Sequence, residues 1–340
     1  MVFLIDSPRN VFYLTQYPGF LGEEKDAKIL LFKNKKYLFT DKRYLEEVKH
    51  LKNFKILENK YFLEILKKER VKELVFEDFS LSFSEYKKFK KVFGNLKPSS
   101  SPVLKLREIK NANEIRNIRK ACKIGDITFN YLLKNIRKGV TEEELASMIE
   151  IFILGQNAKI SFKPIVAFGN NSAIPHHQNS KRRLRKEEII LLDFGVNYKG
   201  YCSDMTRTLF YGKRNKKFED IYLTVLRAQK TATEKINKEY LAAKGKLKAS
   251  AVDKSAREFI VKKDFDSIPH SLGHGIGIEV HEAPSISPTS KDLLKLGMVF
   301  SIEPGIYING WGGIRIEDLF FLTAKGLKKL THSPNKIYYL

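Results

Sequence analysis

The chain has 340 residues, 43% of them hydrophobic and 30% charged, a composition that excludes a disordered chain, a collagen-like fibre and a small disulfide scaffold. Two cysteines, no signal-peptide pattern and no apolar run near the roughly 18 residues of a membrane span indicate a soluble cytoplasmic protein without a membrane partner. The net charge of +23 is typical of nucleic-acid binding, but the basic runs are scattered and carry no recognition motif, so this role is not expected.

The first hundred residues alternate strand-like and helix-like stretches. Strands are predicted at 28–32 and 36–40 across a polar turn, and Asp41 begins a short helix. The pattern continues with a strand, a helix, a strand and a helix at 54–57, 61–70, 71–76 and 83–93. This alternation predicts an α/β domain.

A stretch at 97–102 is rich in proline and serine and has no periodicity, so it is predicted to be a linker. The domain boundary is therefore expected near residue 103. This divides the chain into domains 1–103 and 104–340, in line with about 150 residues per domain.

Two helices are predicted to open the second domain. Apolar residues recur at helical spacing over 115–136, which predicts a long helix that ends by Gly139. Thr141 and Glu144 have the spacing of a capping box, in which a side chain at each position satisfies the backbone of the other. A second helix is therefore expected to begin there.

A hairpin follows in which both strands carry an acidic residue. A buried strand at 189–195 is interrupted by Asp193, a turn lies at 197–200, and a return strand at 203–208 contains Asp204. Symmetric folding about the centre of the turn would place the two aspartates opposite one another, with Cβ atoms about 5 Å apart. Their repulsion would be about 3 kcal/mol at an effective dielectric near 20, so the pair needs a shared proton or a metal cation.

The C-terminal region repeats this arrangement. A strand at 299–307, a turn at 309–313 and a return strand at 314–320 form a second hairpin. Pairing about the centre of this turn places Glu303 opposite Glu317. Two facing acid pairs in one chain are harder to attribute to chance than one.

Histidines are concentrated in the same part of the sequence. Five of the seven histidines lie between the linker and the second hairpin: His176, His177, His270, His274 and His281. Two aspartates, two glutamates and one histidine make a donor set of mostly hard oxygen, which suits Mn²⁺ or a similar divalent ion. Four carboxylates favour two ions over one, because a bridging carboxylate serves both.

These stretches resemble the pita-bread metallopeptidases, and among them the Xaa-Pro aminopeptidases and Xaa-Pro dipeptidases (prolidases). The matching segments are 165–176, 192–207, 270–277, 281–284, 302–305 and 314–318. The segments 10–15 and 38–44 resemble the creatinase-like N-terminal domain. The resemblance implies an α/β N-terminal domain followed by an α+β pita-bread catalytic domain.

The resemblance also implies a metal site. It implies that two divalent ions are bound by five side chains: Asp193, Asp204, His274, Glu303 and Glu317. Of these, Asp204 and Glu317 would bridge the ions. We expect Mn²⁺, with Co²⁺, Zn²⁺ or Fe²⁺ as alternatives.

Roles for further residues follow from the same resemblance. Glu303 would be the general base toward the attacking water, while His176 and His281 would orient the substrate and stabilise the oxyanion. His270 and Arg315 match pocket positions, and Arg315 would hold in place either a carboxylate or a residue that supports the metal ligands. The residue after His176 is also a histidine, so matching this segment to the family one position out would exchange His176 and His177; we assign the role to His176.

The expected activity is that of an Xaa-Pro aminopeptidase, which hydrolyses the bond between an N-terminal residue and a following proline. The alternative within the family is an Xaa-Pro dipeptidase, which needs a cation or a blocking loop for the carboxylate beside proline. A non-catalytic basic binding protein on the same fold is disfavoured, because all five ligand positions are present. The resemblance also implies a homodimer.

Overall fold

The computed structural model describes residues 1–242 and 245–340, which form two compact units, 1–107 and 108–340. The first unit contains six strands and four helices, and a fifth helix ends just beyond it. In chain order they are β1 (Val2–Ile5), α1 (Pro8–Thr15), β2 (Ala27–Leu31), β3 (Lys36–Thr40), α2 (Lys42–Val48), β4 (Lys55–Glu58), α3 (Phe62–Lys68), β5 (Glu73–Glu77), α4 (Phe83–Val92), β6 (Asn95–Ser99) and α5 (Pro102–Glu108).

The six strands form one mixed sheet in the order β4-β3-β2-β1-β5-β6. Side chains alternate between its faces, so that neighbouring Ile29 and Leu30 of β2 belong to two separate hydrophobic cores. One core includes Phe62 of α3, and the other includes Val11 of α1. Helices therefore cover both faces of the sheet, which confirms the predicted α/β class.

The structure corrects the prediction of a linker at 97–102. The strand β6 runs to Ser99 and pairs in parallel with β5, and Pro102 begins α5. Pro98 is tolerated in β6 because this strand lies at the edge of the sheet. The first unit ends at Arg107, within α5.

The second unit contains four helices and thirteen strands among the described residues. They are α6 (Ala112–Asn135), α7 (Glu142–Gly155), β7 (Lys159–Ile160), β8 (Ile165–Phe168), β9 (Glu188–Phe194), β10 (Val196–Tyr198), β11 (Tyr201–Cys202), β12 (Met205–Tyr211), α8 (Lys216–Ala242), α9 (Ala249–Val261), β13 (Gly273–Gly275), β14 (Glu282–Ile286), β15 (Val299–Ile302), β16 (Gly305–Ile308), β17 (Gly312–Arg315), β18 (Asp318–Thr323) and β19 (Gly326–Lys329). The predicted capping box is confirmed, since Thr141 Oγ1 accepts from the Glu144 N–H at 3.0 Å.

Two antiparallel sheets of this unit carry the acidic hairpins, and a pair of helices packs against each. The sheet β12-β9-β8 shares a core with α6 and α7, through residues such as Phe129 and Leu145. The sheet β14-β13-β15-β18-β19 shares another with α8 and α9, through Val225 and Val252. This is the expected α+β pita-bread architecture. None of the described helices combines the length and the apolar character that crossing a membrane requires.

The register of the first acidic hairpin differs from the prediction by two residues. Asp193 pairs with Thr206 rather than with Asp204, and Tyr198 pairs with Tyr201. The turn is therefore centred one position later, on Lys199 and Gly200. Because side chains alternate with a period of two, the slip leaves both aspartates on the same face of the hairpin.

The register of the second hairpin is confirmed. Gly305 pairs with Arg315 in β16 and β17, and Ile302 pairs with Asp318 in β15 and β18. Both pairings belong to one continuous register that places Glu303 and Glu317 across from one another, at the point where the ladder is interrupted.

Candidate metal centre and cavity

A cavity of about 670 Å³ in the second unit contains all of the predicted site residues in its lining. They are Asp193, Asp204, His274, Glu303, Glu317, His176, His270, His281 and Arg315. Phe162, Ile165, Pro175 and Val280 add apolar surface. The fold therefore brings both acidic hairpins and the histidine-bearing segments to one place.

The backbone places the carboxylates at interruptions of the hairpins. Asp204 directly precedes β12, Glu303 separates β15 from β16, and Glu317 separates β17 from β18. The Glu317 N–H donates to the carbonyl of Thr206 at 3.2 Å, which joins the second hairpin to the first. The two acid-bearing hairpins are therefore joined to each other next to Glu317.

Two glycines allow the strand of His274 to lie close to its neighbours. A Cβ atom at Gly273 would lie 2.1 Å from the carbonyl oxygen of Ser301, and one at Gly275 would lie 2.1 Å from that of Ala283. Any larger residue would push β13 away from β15 or β14. The sequence Gly-His-Gly is thus required for the close approach that places the imidazole beside the acids.

The ligand atoms of three candidate ligands, Asp204, His274 and Glu317, all lie within 4.8 Å of one another. His274 Nε2 also lies 3.3 Å from Glu303 Oε1 and 3.7 Å from Asp204 Oδ2. These separations are of the size that a shared cation spans, since metal–oxygen and metal–nitrogen bonds are about 2.0–2.2 Å each.

The environment of three carboxylates disfavours their charge. Burial raises the pKa of Asp193, and burial with neighbouring carboxylates raises the pKa values of Asp204 and Glu317 well above their usual range. One oxygen of each has no hydrogen-bond partner among the described residues: Asp193 Oδ1, Asp204 Oδ1 and Glu317 Oε1. Such oxygens are costly to bury unless a cation balances them. Hard oxygen donors around one cavity therefore fit divalent metal ions.

His274 partly compensates for the negative charge of the acids, through its contact with Glu303. Burial alone would lower the pKa of His274, but its hydrogen bond to Glu303 and the surrounding carboxylates raise this pKa to about 9. Burial alone would raise the pKa of Glu303, but the hydrogen bond with His274 and the positive charges nearby together outweigh it and lower the pKa. Protonated His274 is thus a counter-ion of the acids, a role that passes to the metal when neutral imidazole binds it.

Three residues around the acids were not singled out by the sequence analysis. Thr206 Oγ1 donates to Glu317 Oε2 at 2.8 Å, and Ser301 Oγ donates to Glu303 Oε1 at 3.2 Å. The Tyr307 hydroxyl accepts from Arg315 Nη1 at 2.9 Å. The sequence did carry a signal for them. Each of these residues lies an even number of positions from Asp204 or Glu303, and residues at even spacing in a strand lie on the same face.

Arg315 is buried and holds one of the acids. Its Nη2 donates to Asp193 Oδ2 at 2.6 Å, and its Nε donates to Thr206 Oγ1 at 3.2 Å. Asp193 and Tyr307 raise the pKa of the guanidinium further, against the effect of burial, so its charge is permanent. Holding a carboxylate is one of the two roles that the sequence analysis assigned to Arg315.

The histidines occupy different sides of the site. His176 lines the cavity, whereas the adjacent His177 donates from Nε2 to Glu142 at 2.8 Å. His281 packs against His274, with ring centroids 4.3 Å apart. His270 Nε2 lies 2.8 Å from the Tyr307 hydroxyl, and burial lowers the pKa values of both His270 and His281.

A pita-bread unit with three buried carboxylates, a half-buried fourth and a histidine around one cavity defines a metal-dependent hydrolase. Residues 116–324 match Metallopeptidase family M24 and residues 1–109 match the Creatinase/Prolidase N-terminal domain. The chain belongs to Metallopeptidase family M24 and is a peptidase. Enzymes of this family use divalent metal ions, typically two.

Similar proteins cover nearly the whole chain. The uncharacterized peptidase YqhT of Bacillus subtilis strain 168 is 35% identical over 99% of this chain and 95% of its own length. The structure of an Xaa-Pro dipeptidase from Bacillus anthracis has a TM-score of 0.93 at 34% identity, covering 100% of this chain and 95% of that one. The structure of an X-Pro aminopeptidase from Thermotoga maritima MSB8 has a TM-score of 0.89 at 32% identity, covering 100% of this chain and 97% of that one.

Proposed function

We propose that this peptidase is an Xaa-Pro aminopeptidase that hydrolyses the bond between an N-terminal residue and a following proline. The similarity to an X-Pro aminopeptidase and to an Xaa-Pro dipeptidase supports proline specificity. Peptides with proline at the second position are the proposed substrates.

One observation favours an aminopeptidase over a dipeptidase. Among the described residues that line the cavity, Arg315 is the only lysine or arginine, and its guanidinium already binds Asp193, Thr206 and Tyr307. A dipeptidase needs a cation or a blocking loop for the carboxylate beside proline, and a buried carboxylate without a cation is costly. An aminopeptidase leaves that end of its substrate open and needs no such cation.

The metal site of the proposal consists of five side chains: Asp193, Asp204, His274, Glu303 and Glu317. When bound, two divalent ions would lower the pKa of a coordinated water and polarise the substrate carbonyl. We propose Mn²⁺ as the native ion, because four of the five donors are carboxylates.

The remaining steps fall to the side chains around the cavity. Glu303 lies in the cavity lining and accepts the proton of the attacking water. His176 and His281 lie in the cavity lining, where their N–H groups can donate to the substrate carbonyl oxygen as it gains negative charge. Arg315 keeps Asp193 oriented through the bond at 2.6 Å.

The proposal is tested by product analysis. The purified chain with added Mn²⁺ is incubated with Xaa-Pro dipeptides and with longer Xaa-Pro-Xaa peptides, and the products are identified by mass spectrometry. We expect release of the first residue from the longer peptides, and no cleavage of matched peptides with alanine in place of proline. Cleavage of the dipeptides alone would overturn the aminopeptidase assignment.

The second candidate is an Xaa-Pro dipeptidase. The observation that favours it is the TM-score of 0.93 to the Xaa-Pro dipeptidase from Bacillus anthracis. The same product analysis decides between the two, because the candidates share the bond that they cleave and differ only in the length of peptide that they accept.

A further inference from the structure

Glu142, a residue outside the cavity, is buried beneath the loop that carries His176. It is the first residue of α7 and is completely inaccessible to solvent. A carboxylate in the first turn of a helix is stabilised by the helix dipole, but a buried charge also needs hydrogen-bond donors.

The donors to Glu142 come from both ends of one segment, residues 168–180. Its Oε1 accepts from the backbone N–H of Phe168 at 2.9 Å and from Asn171 Nδ2 at 2.8 Å. Its Oε2 accepts from His177 Nε2 at 2.8 Å, and from the N–H and Oγ of Ser180 at 3.0 and 2.6 Å. The single carboxylate therefore closes this segment into a loop.

His176 lies within that loop and next to one of the donors. Its side chain is exposed and lines the cavity, so the position of its ring depends on the backbone that carries it. His177 is fixed by Glu142 on the other side of the loop. Loss of the carboxylate would remove hydrogen bonds to the neighbour of His176 and to both ends of the loop together.

We propose that Glu142 is a positioning residue that holds His176 toward the reacting carbonyl, an inference that rests on the proposed function. Glu142 touches neither substrate nor metal ligand among the described contacts and acts only through the loop. A misplaced catalytic group can cost about 100-fold in rate for a displacement near 1 Å.

The experiment compares Glu142→Gln, His176→Ala and the double variant by kcat and KM on an Xaa-Pro-Xaa peptide with Mn²⁺. We expect each single variant to lower kcat by about 10- to 100-fold. The double variant should lose no more than His176→Ala alone, because both changes remove the same contribution. If the loss of kcat in the double variant equals the product of the two single losses, the residues act independently and the proposal is overturned.

Glu77→Gln is the matched control for a general loss of stability. Glu77 is likewise a buried glutamate that accepts from two backbone N–H groups, those of Asp6 and Ser7, and from Asn10 Nδ2. We expect it to lower the melting temperature without lowering kcat at temperatures where the chain is folded. An equal loss of kcat in Glu77→Gln would assign the effect of Glu142→Gln to stability and overturn the proposal.

Hydrogen exchange tests the loop without relying on activity. Glu142→Gln should speed amide exchange over residues 169–180 and leave residues 188–194 unchanged, whereas Glu77→Gln should change neither. Unaltered exchange over 169–180 would contradict the positioning role. A wild-type chain that cleaves no Xaa-Pro peptide would refute the proposed function, while the exchange result would still decide whether Glu142 holds the loop.

Discussion

Glu317 and Asp318 are adjacent buried acids whose charges are balanced in different ways. Burial alone would raise the pKa of Asp318, but Arg207 and Lys329 outweigh it and lower the pKa. Arg207 Nη2 lies 2.7 Å from one of its oxygens and Lys329 Nζ 2.9 Å from the other. Glu317 has an oxygen without a partner among the described residues and a raised pKa. This contrast separates an acid that completes an internal network from one that requires an external cation.

Asp204→Asn should separate stability from metal binding. The change removes a buried charge that Glu317 and Asp193 repel, so we expect the metal-free protein to become more stable by about 1–3 kcal/mol. The gain in melting temperature on adding Mn²⁺ should shrink, because a bridging ligand is lost. Asp318→Asn is the control and should destabilise the protein with or without Mn²⁺, since it leaves Arg207 unpaired. A full response to Mn²⁺ in Asp204→Asn would contradict the ligand assignment.

Glu142 should contribute to stability in a pH-dependent manner. Burial alone would raise its pKa, but hydrogen bonds from Ser180, His177 and Phe168 outweigh it and lower the pKa from 4.5. A lowered pKa gives stability that is present above 4.5 and is lost as the pH falls through the folded-state value. Glu142→Gln should therefore cost about 1–3 kcal/mol at pH 7. Urea unfolding should show the gap to wild type narrowing below pH 4.5, and a constant gap would refute this account.

The two hairpins show which parts of an element the sequence determines. Alternation of apolar and acidic residues predicted the strands and the face that carries the acids, because a period of two survives a slip of two residues. The register of the first hairpin was missed because its turn uses Lys199 and Gly200 at φ of 52° and 85°. A lysine in the left-handed region is uncommon, so only Gly200 marked the centre of that turn.

Gly275→Ala tests the close approach of β13 and β14. The added methyl group would lie 2.1 Å from the carbonyl oxygen of Ala283, so the strand of His274 must move. We expect a loss of about 1–3 kcal/mol in unfolding free energy and weaker Mn²⁺ binding. Gly155→Ala, at a position with no atom within 4 Å of the new methyl group, should be close to neutral. Equal stabilities of the two variants in urea unfolding would contradict the packing argument.

For the whole molecule, sequence patterns predicted the fold class and the residues that the second unit gathers into one cavity. The four acidic positions could be identified because buried carboxylates in apolar strands are unusual enough to demand an explanation. The choice of His274 as the fifth ligand came from the family resemblance. The hydroxyl groups that donate to them, such as those of Ser301 and Thr206, could not be identified in this way. A hydroxyl is common in strands, and only the folded chain shows which ones reach an acid. The edge strand at 95–99 was missed for a related reason, since its proline resembles a linker until its place in the sheet is known.

Calorimetric titration of the metal-free chain with Mn²⁺ tests most directly whether the five side chains form a two-metal centre. The account predicts two ions per wild-type chain, fewer than two in Asp204→Asn, and return of peptidase activity as the sites fill. Absence of saturable Mn²⁺ binding, together with hydrolysis of an Xaa-Pro peptide in the presence of a chelator, would contradict it.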